Sequence, residues 1–260
     1  MRELINTIPF WWLMIASIVL FASLSYFSSR LSTHLISISN DKKHRALVHT
    51  SINILSTGFF ILIAFVIINT WNYLMEARNV TSKEADSLAL LFHNISQFPE
   101  ENRVNIFNAA RNYLVSVRVN EWKAMRKGAT NQSSWNNLET LYGELQHYKP
   151  QTPHETLFYS QAILNVNNII EARRGRVNKL DSVIPRQISE SLIVGTIFLT
   201  IFIGLIRARS DLISNIPIFL FAMCLAFNLA LALSFDYPFS GSISVSNKLF
   251  YQGILGKIPD

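Results

Sequence analysis

Charge is missing altogether from four stretches of this chain: residues 4–29, 46–75, 191–206 and 212–235 contain no Asp, Glu, Lys or Arg. A helix needs about 20 apolar residues to cross a hydrocarbon core of roughly 30 Å. The first, second and fourth stretches exceed that length, and each predicts a membrane-crossing helix. The third, Ser191 to Ile206, is only sixteen residues long. It still crosses if Glu190 and Arg207 sit at opposite interfaces and the arginine stem extends to water. Trp11-Trp12 reads as an interfacial aromatic anchor, which favours a retained span over a cleaved leader.

Between the second and third stretches the pattern changes to polar residues with apolar positions every three or four. Ala77, Val80, Glu84, Leu88, Leu91 and Ile95 carry the helical period on from the second span, so that helix is expected to continue beyond the bilayer. Pro99-Glu100-Glu101 opens a further helix that closes on Lys123, Arg126, Lys127 and Gly128, acids first and bases last as the helix dipole prefers. Along it Val104, Phe107, Ala110, Leu114, Val117, Glu121 and Met125 form one apolar face broken by a single carboxylate. Shorter stripes are Trp135, Leu138, Tyr142, Leu145 and Leu157, Leu164, Ile169, Ala172. Thr81-Ser82-Lys83-Glu84 and Thr152-Pro153-His154-Glu155 match capping boxes, the second with a proline in its first turn. Strand-like alternation is confined to Ser242-Ile243-Ser244-Val245-Ser246.

The expected fold is therefore all-α: four transmembrane helices, with one helical extramembrane domain inserted between the second and third. The spans are residues 4–29, 46–75, 188–206 and 212–235, the domain is 76–187, and 236–260 form a C-terminal tail.

Composition agrees with a bilayer setting, since 50% of residues are hydrophobic and 15% charged, against roughly a quarter charged in soluble domains. In that setting a net charge of +6 reflects topology and anionic lipid rather than nucleic acid. The short loops 30–45 and 207–211 hold Arg30, Lys42, Lys43, Arg45, Arg207 and Arg209 against Asp41 and Asp211, which assigns that side to the cytoplasm. The helical domain and both chain ends then face the non-cytoplasmic side. The single cysteine, Cys224, excludes an intramolecular disulfide and a thiolate metal site.

No Asp, Glu, Lys or Arg lies in the four uncharged stretches, His49 is their one histidine, and no nucleophile elbow, phosphate loop or metal-ligand spacing occurs. No catalytic residue, metal or cofactor is expected, and an enzyme is not. In the fourth span Ala222, Ala226, Ala230 and Ser234 make a small-residue packing face, within one subunit or between subunits. The adjacent stripe Cys224, Asn228, Ala232 faces either a pore or a neighbouring helix. Glu84, Glu121 and Glu171 can gather with Arg173, Arg174 and Arg176, as an ion-pair network or as an ion site. Asp236 closes the fourth span just before Pro238, either capping freed amides or acting on an ion.

The ordered elements Ala77-Arg78, Glu84-Ala85, Pro99 with Arg103, Tyr113, Glu121-Trp122, Met125, Gly128, Arg173-Arg174-x-Arg176, Pro185, Asp236-x-Pro238-Phe239-x-Gly241 and Val245-Ser246 span nearly the whole chain. Together they resemble the bestrophin-like family of multi-pass membrane proteins, with Glu84, Arg103, Glu121, Trp122, Pro238, Phe239 and Gly241 as its structural motif. His93 and Phe235 depart from that pattern. Bestrophins are pentameric anion channels with four membrane helices and a large helical domain in the cytoplasm. The resemblance implies a homo-oligomeric, anion-conducting subunit in a bacterial inner (plasma) membrane, its partners lipid and inorganic ions. Arg173, Arg174, Arg176 and Lys179 are then expected to ring the pore entrance, with Asn228 and Asp236 as further ion-interacting candidates. The competing expectation is a non-conducting membrane anchor whose helical domain binds a protein, a lipid or a stress signal.

Overall fold

The computed structural model describes residues 2–35, 42–205 and 212–260, and every regular element among them is helical. A short helix α1 (Arg2–Thr7) precedes α2 (Phe10–Leu35) and the 54-residue α3 (Lys42–Ile95). Then come α4 (Glu100–Val115), a π-helical turn (Ser116–Glu121), α5 (Trp122–Arg126), α6 (Gln132–His147) and α7 (Pro153–Val177). The chain continues through α8 (Arg186–Leu205) and α9 (Leu212–Ser234) into a tail with two 3-10 turns, Asn247–Tyr251 and Leu255–Lys257. Four helical segments are long and apolar enough to cross a membrane: Phe10–Leu31, Ala46–Ile95, Arg186–Leu205 and Ile216–Ser234. The basic residues used above to orient the loops, other than Arg30, lie at 41–45 and 206–211, outside the described residues or with undescribed side chains.

In the apolar body α2 packs on α8 and α9, and the N-terminal half of α3 closes it around Phe21, Ile63, Leu192, Ala222, Ala226 and Leu229. Where α8 crosses α2 the backbones nearly touch: a Cβ on Gly204 would lie 2.8 Å from the Ser25 carbonyl oxygen. The Ser28 hydroxyl donates to the Ile201 carbonyl at 2.7 Å across the same crossing. Small residues at such crossings allow the close packing that replaces hydrophobic drive inside a bilayer. The small face of α9 serves this purpose too, since Ala222, Ala226, Ala230 and Ser234 are all buried within the one chain.

Helix α3 spans about 80 Å at 1.5 Å per residue and joins the two bodies without a break. Its C-terminal half pairs along α7, while α4, α5, α6 and the tail complete a second core around Leu88, Leu91, Tyr113, Leu141 and Val166. The capping box expected at Thr81 does not form. Thr81 lies inside α3, where its hydroxyl donates to the Ala77 carbonyl at 2.8 Å. A capping residue acts only where backbone amides are free, and no Pro or Gly interrupts the helix there. At Thr152 the box does form: its hydroxyl accepts from the Glu155 amide at 3.1 Å, and Glu155 accepts from the Gln151 amide at 2.9 Å.

The apolar face predicted along the Pro99 helix holds except at its first two positions. Val104 is 50% and Phe107 37% exposed, whereas Ile106, Ala109, Ala110, Tyr113 and Leu114 are buried. From Ala110 on, the predicted positions Leu114, Val117, Glu121 and Met125 are buried, straight through the π turn at Ser116–Glu121, whereas in the first turns of α4 Ile106 and Ala109 face inward instead. The alternating serines at 242–246 form bends rather than a strand, with the Val245 amide donating to the Pro238 carbonyl at 2.8 Å.

Candidate functional site

Three helical segments of the second body bring their charges, and a fourth a tyrosine hydroxyl, to one buried point. The α3–α7 pairing sets Arg176 against Glu84, with its Nε 2.6 Å from Oε2 and its Nη2 2.8 Å from Oε1. The π turn swings Glu121 inward, where Oε2 lies 2.7 Å from Arg176 Nη2 and Oε1 pairs with Arg173. The Tyr113 hydroxyl of α4 donates to Glu84 Oε1 at 2.7 Å. Glu84, Glu121 and Arg176 have no exposed surface. Two carboxylates against two guanidiniums leave the cluster neutral, which is the condition for holding charge in a core. Trp122 lies under the Arg176 guanidinium at 5.3 Å, and Trp135 under that of Arg173 at 5.2 Å. Burial, and then the neighbouring Glu84 charge, push the Tyr113 hydroxyl well above its ordinary pKa, so it stays protonated and keeps its proton for Glu84. Burial on its own lowers the Arg176 pKa, but Glu84 and Glu121 more than reverse this and raise it, so the guanidinium stays charged.

Of the four basic residues expected at a pore entrance, Arg173 and Arg176 thus spend their charge inside the chain. Packed α-helices present residues three apart on the same face, and on α7 that face is the buried one. Arg174 is exposed, with its guanidinium 5.7 Å from the Trp135 ring centroid. Lys179 ion-pairs with Glu76 of α3 at 2.9 Å and lies 4.1 Å from the Tyr73 ring centroid. Arg103 approaches Glu100 within 3.8 Å on the surface of α4. Asn228 donates to the Cys224 carbonyl of its own helix at 2.8 Å, and among the described residues no other helix supplies it a hydrogen-bond partner.

Asp236 has a defined structural partner. Its Oδ1 accepts from the Ile184 amide at 2.8 Å, and the Ser182 hydroxyl lies 2.8 Å from both carboxylate oxygens. The amide it caps therefore belongs to the turn before α8 and not to its own helix end, so the carboxylate ties the end of the fourth apolar helix to the start of the third. Trp122 packs edge-on against Phe239 and Phe250. Pro238 is buried, and Gly241 adopts φ +81°, which a side chain would strain, while its amide donates to Asn6 Oδ1 at 2.7 Å.

Burial raises the Asp236 pKa above the ordinary 3.8, although the Ile184 amide, the Ser182 hydroxyl and Arg2 pull it down. A folded-state pKa above the unfolded one means the folded chain binds the proton more tightly. That contribution is complete below about pH 3.8 and is lost as pH rises through the raised value. Asp236→Asn keeps an acceptor for the Ile184 amide and is expected to flatten this dependence. Melting temperature measured against pH on both proteins checks it, and parallel curves across the mildly acidic range would refute it.

Two residues in this region escaped the sequence reading. Arg118 of the π turn is buried and donates to the Phe250, Leu255 and Ile258 carbonyls at 2.7 to 3.0 Å and to the Asp260 carboxylate at 2.7 Å. Its only signal was a lone cation between Val117 and Val119. Arg2 donates to the Leu180 carbonyl and lies 4.6 Å over the Tyr237 ring, pinning α1 to the turn that Asp236 also holds.

One face of α3 stays uncovered through both bodies. Thr57, Ile61, Phe65, Ile68, Asn72, Glu76, Asn79, Lys83 and Asp86 recur at three and four along it, and all are exposed. The stripe is apolar from Ile61 to Ile68 and polar from Asn72 onward. Compared with known protein families, the chain matches the one described as Bestrophin-like domain over residues 15–250. No curated protein and no solved structure matches it.

Proposed function

Because the chain belongs to the bestrophin-like family, we propose that it is one subunit of an oligomeric, anion-conducting channel in which α3 lines the central axis. In this reading α4 to α7 and the tail form an extramembrane domain inserted between the second and third membrane helices. The observation that carries it is the uncovered stripe of α3. Lipid accounts for exposed Ile61, Phe65 and Ile68, but not for Asn72, Glu76 and Asn79, which lie on the same face and are exposed among the described residues. Copies of that face around a symmetry axis make an apolar constriction that leads into a polar vestibule. Apolar rings of this kind gate ions by expelling water. Arg174, exposed at the α7 flank of the vestibule, supplies positive potential, Lys179 offsets the charge of Glu76, and Arg173 and Arg176 hold the walls. The charge of the loops at 30–45 and 207–211 assigns the helical domain to the non-cytoplasmic side of an inner membrane. No enzymatic step is part of this function.

Purified protein in liposomes with a chloride gradient tests the proposal. Wild type is expected to pass chloride in preference to potassium. Phe65→Ala and Ile68→Ala, which widen the apolar ring, are expected to raise the flux several-fold, while Lys179→Glu shifts preference toward potassium. Absence of flux for either ion in all four proteins overturns the channel and leaves the non-conducting anchor. Flux that is indifferent to Phe65 and Ile68 removes α3 from the pathway.

A further inference from the structure

The family resemblance singles out Arg78 and Val245-Ser246, and conduction along α3 uses neither. They meet in one cavity of about 480 Å³ between α3 and the tail, which Trp71, Arg78, Ser242 and Lys248 also line. Arg78 and Lys248 are exposed, and neither side chain has a hydrogen-bond or ion-pair partner among the described residues. No lining residue is acidic. Two cations without counterions in one concavity create a site for a dianion or monoanion of phosphate size. The Ser242 hydroxyl accepts from the Phe10 amide at 3.0 Å, which leaves its own proton free to donate.

The height of the cavity along α3 identifies the source of the phosphate. The uncharged stretch of α3 ends at Met75, so Arg78 lies about 5 Å further along the helix axis. The headgroup layer on each side of a bilayer is roughly 5 to 8 Å thick. Trp71, 47% exposed, sits one turn earlier, at the level where indole rings anchor membrane proteins. Leu74, Ile243 and Leu249 give the cavity an apolar wall. A basic, concave, half-apolar site at that level matches a lipid that presents phosphate above and acyl chains below.

We propose that this pocket binds an anionic phospholipid headgroup, with Arg78 and Lys248 on the phosphate, Ser242 donating to it and Trp71 packed at the glycerol level. The test uses the full-length protein in neutral detergent, titrated separately with dioctanoyl phosphatidylglycerol, dioctanoyl phosphatidylcholine and inorganic phosphate, with tryptophan fluorescence as the readout. Phosphatidylglycerol is expected to bind most tightly. Arg78→Gln and Lys248→Gln are each expected to weaken it about fivefold, and the double variant about 25-fold, from roughly 1 kcal/mol per cation at a membrane surface. Both side chains are exposed, so the core is unaffected, and Arg78→Lys retains most of the affinity. Equal affinity for the two lipids, or a double variant that binds like wild type, overturns the proposal. Inorganic phosphate that binds as well as the lipid, with the same sensitivity to both substitutions, assigns the pocket to a free anion and overturns the lipid.

Discussion

Glu84→Ala is expected to lower the melting temperature of the detergent-solubilised protein by about 10 °C, more than any other single substitution on the α3–α7 seam. The carboxylate accepts from Arg176 Nε and Nη2 and from the Tyr113 hydroxyl at 2.6 to 2.8 Å, with no exposed surface on it or on Arg176. Removing it leaves a guanidinium that keeps only the Glu121 charge, in a core that water does not reach. Breaking a buried pair from one side costs about 3 to 5 kcal/mol, and 1 kcal/mol moves the melting point of a chain this size by roughly 2 to 4 °C. The penalty comes from the orphaned charge rather than from the strength of the pair. The fourfold change Glu84→Leu, Glu121→Leu, Arg173→Met and Arg176→Met is therefore expected to cost less than Glu84→Ala alone. Thermal melts followed by tryptophan fluorescence decide both points, and a Glu84→Ala shift under about 3 °C would mean that water or a rearranged side chain compensates Arg176.

Arg118→Ala is expected to free the last segment of the tail. One guanidinium closes the carbonyls of Phe250, Leu255 and Ile258 and the Asp260 carboxylate around itself, with the Tyr251 ring 4.2 Å away. Without it three carbonyls lose their donor, at about 1 to 3 kcal/mol for each that stays buried. The tail avoids that cost by leaving the surface. Limited proteolysis with mass spectrometry should then find cleavage within residues 247–260 before cleavage anywhere else. Arg118→Lys, which keeps the charge but cannot form the fork, should fall between the two. A tail in Arg118→Ala as resistant as in wild type would show that Phe250 and Leu255, both buried, hold it without the arginine.

Much of the helical framework was legible because its causes are local. Uncharged length marks a helix able to cross a bilayer. The first stretch, expected as one helix over 4–29, is broken at Pro9, and its long helix α2 starts only at Phe10. Helices α3, α8 and α9 follow their uncharged stretches, apart from the extension of α3. That extension was itself readable from Ala77, Leu88 and Leu91, since no proline or glycine stops the period. The capping box at Thr152 was legible for the same reason, and the one at Thr81 failed because a four-residue motif does not report whether its amides are already used. The face of the Pro99 helix was legible from Ala110 to Met125 but not in its first turns, where Val104 and Phe107 are apolar yet exposed, because hydrophobicity does not report which apolar side chains find a packing partner.

The candidate site depended on contacts of longer reach. Arg173-Arg174-x-Arg176 looks in the sequence like one basic cluster, yet helical geometry sends Arg173 and Arg176 into the core and Arg174 outward. Which carboxylates meet them follows from the register of α3 against α7 and from the π turn that redirects Glu121.

By itself the sequence determined where charge cannot go, and hence the four apolar helices, the all-helical class and the family, because each depends on composition and period over short windows. The tertiary structure alone decided which charges are spent in the core and which remain for solvent, lipid or ions. A buried charge is tolerated only beside its opposite, and Glu84 finds Arg176, as Arg118 finds the tail, only when helices distant in the chain have packed.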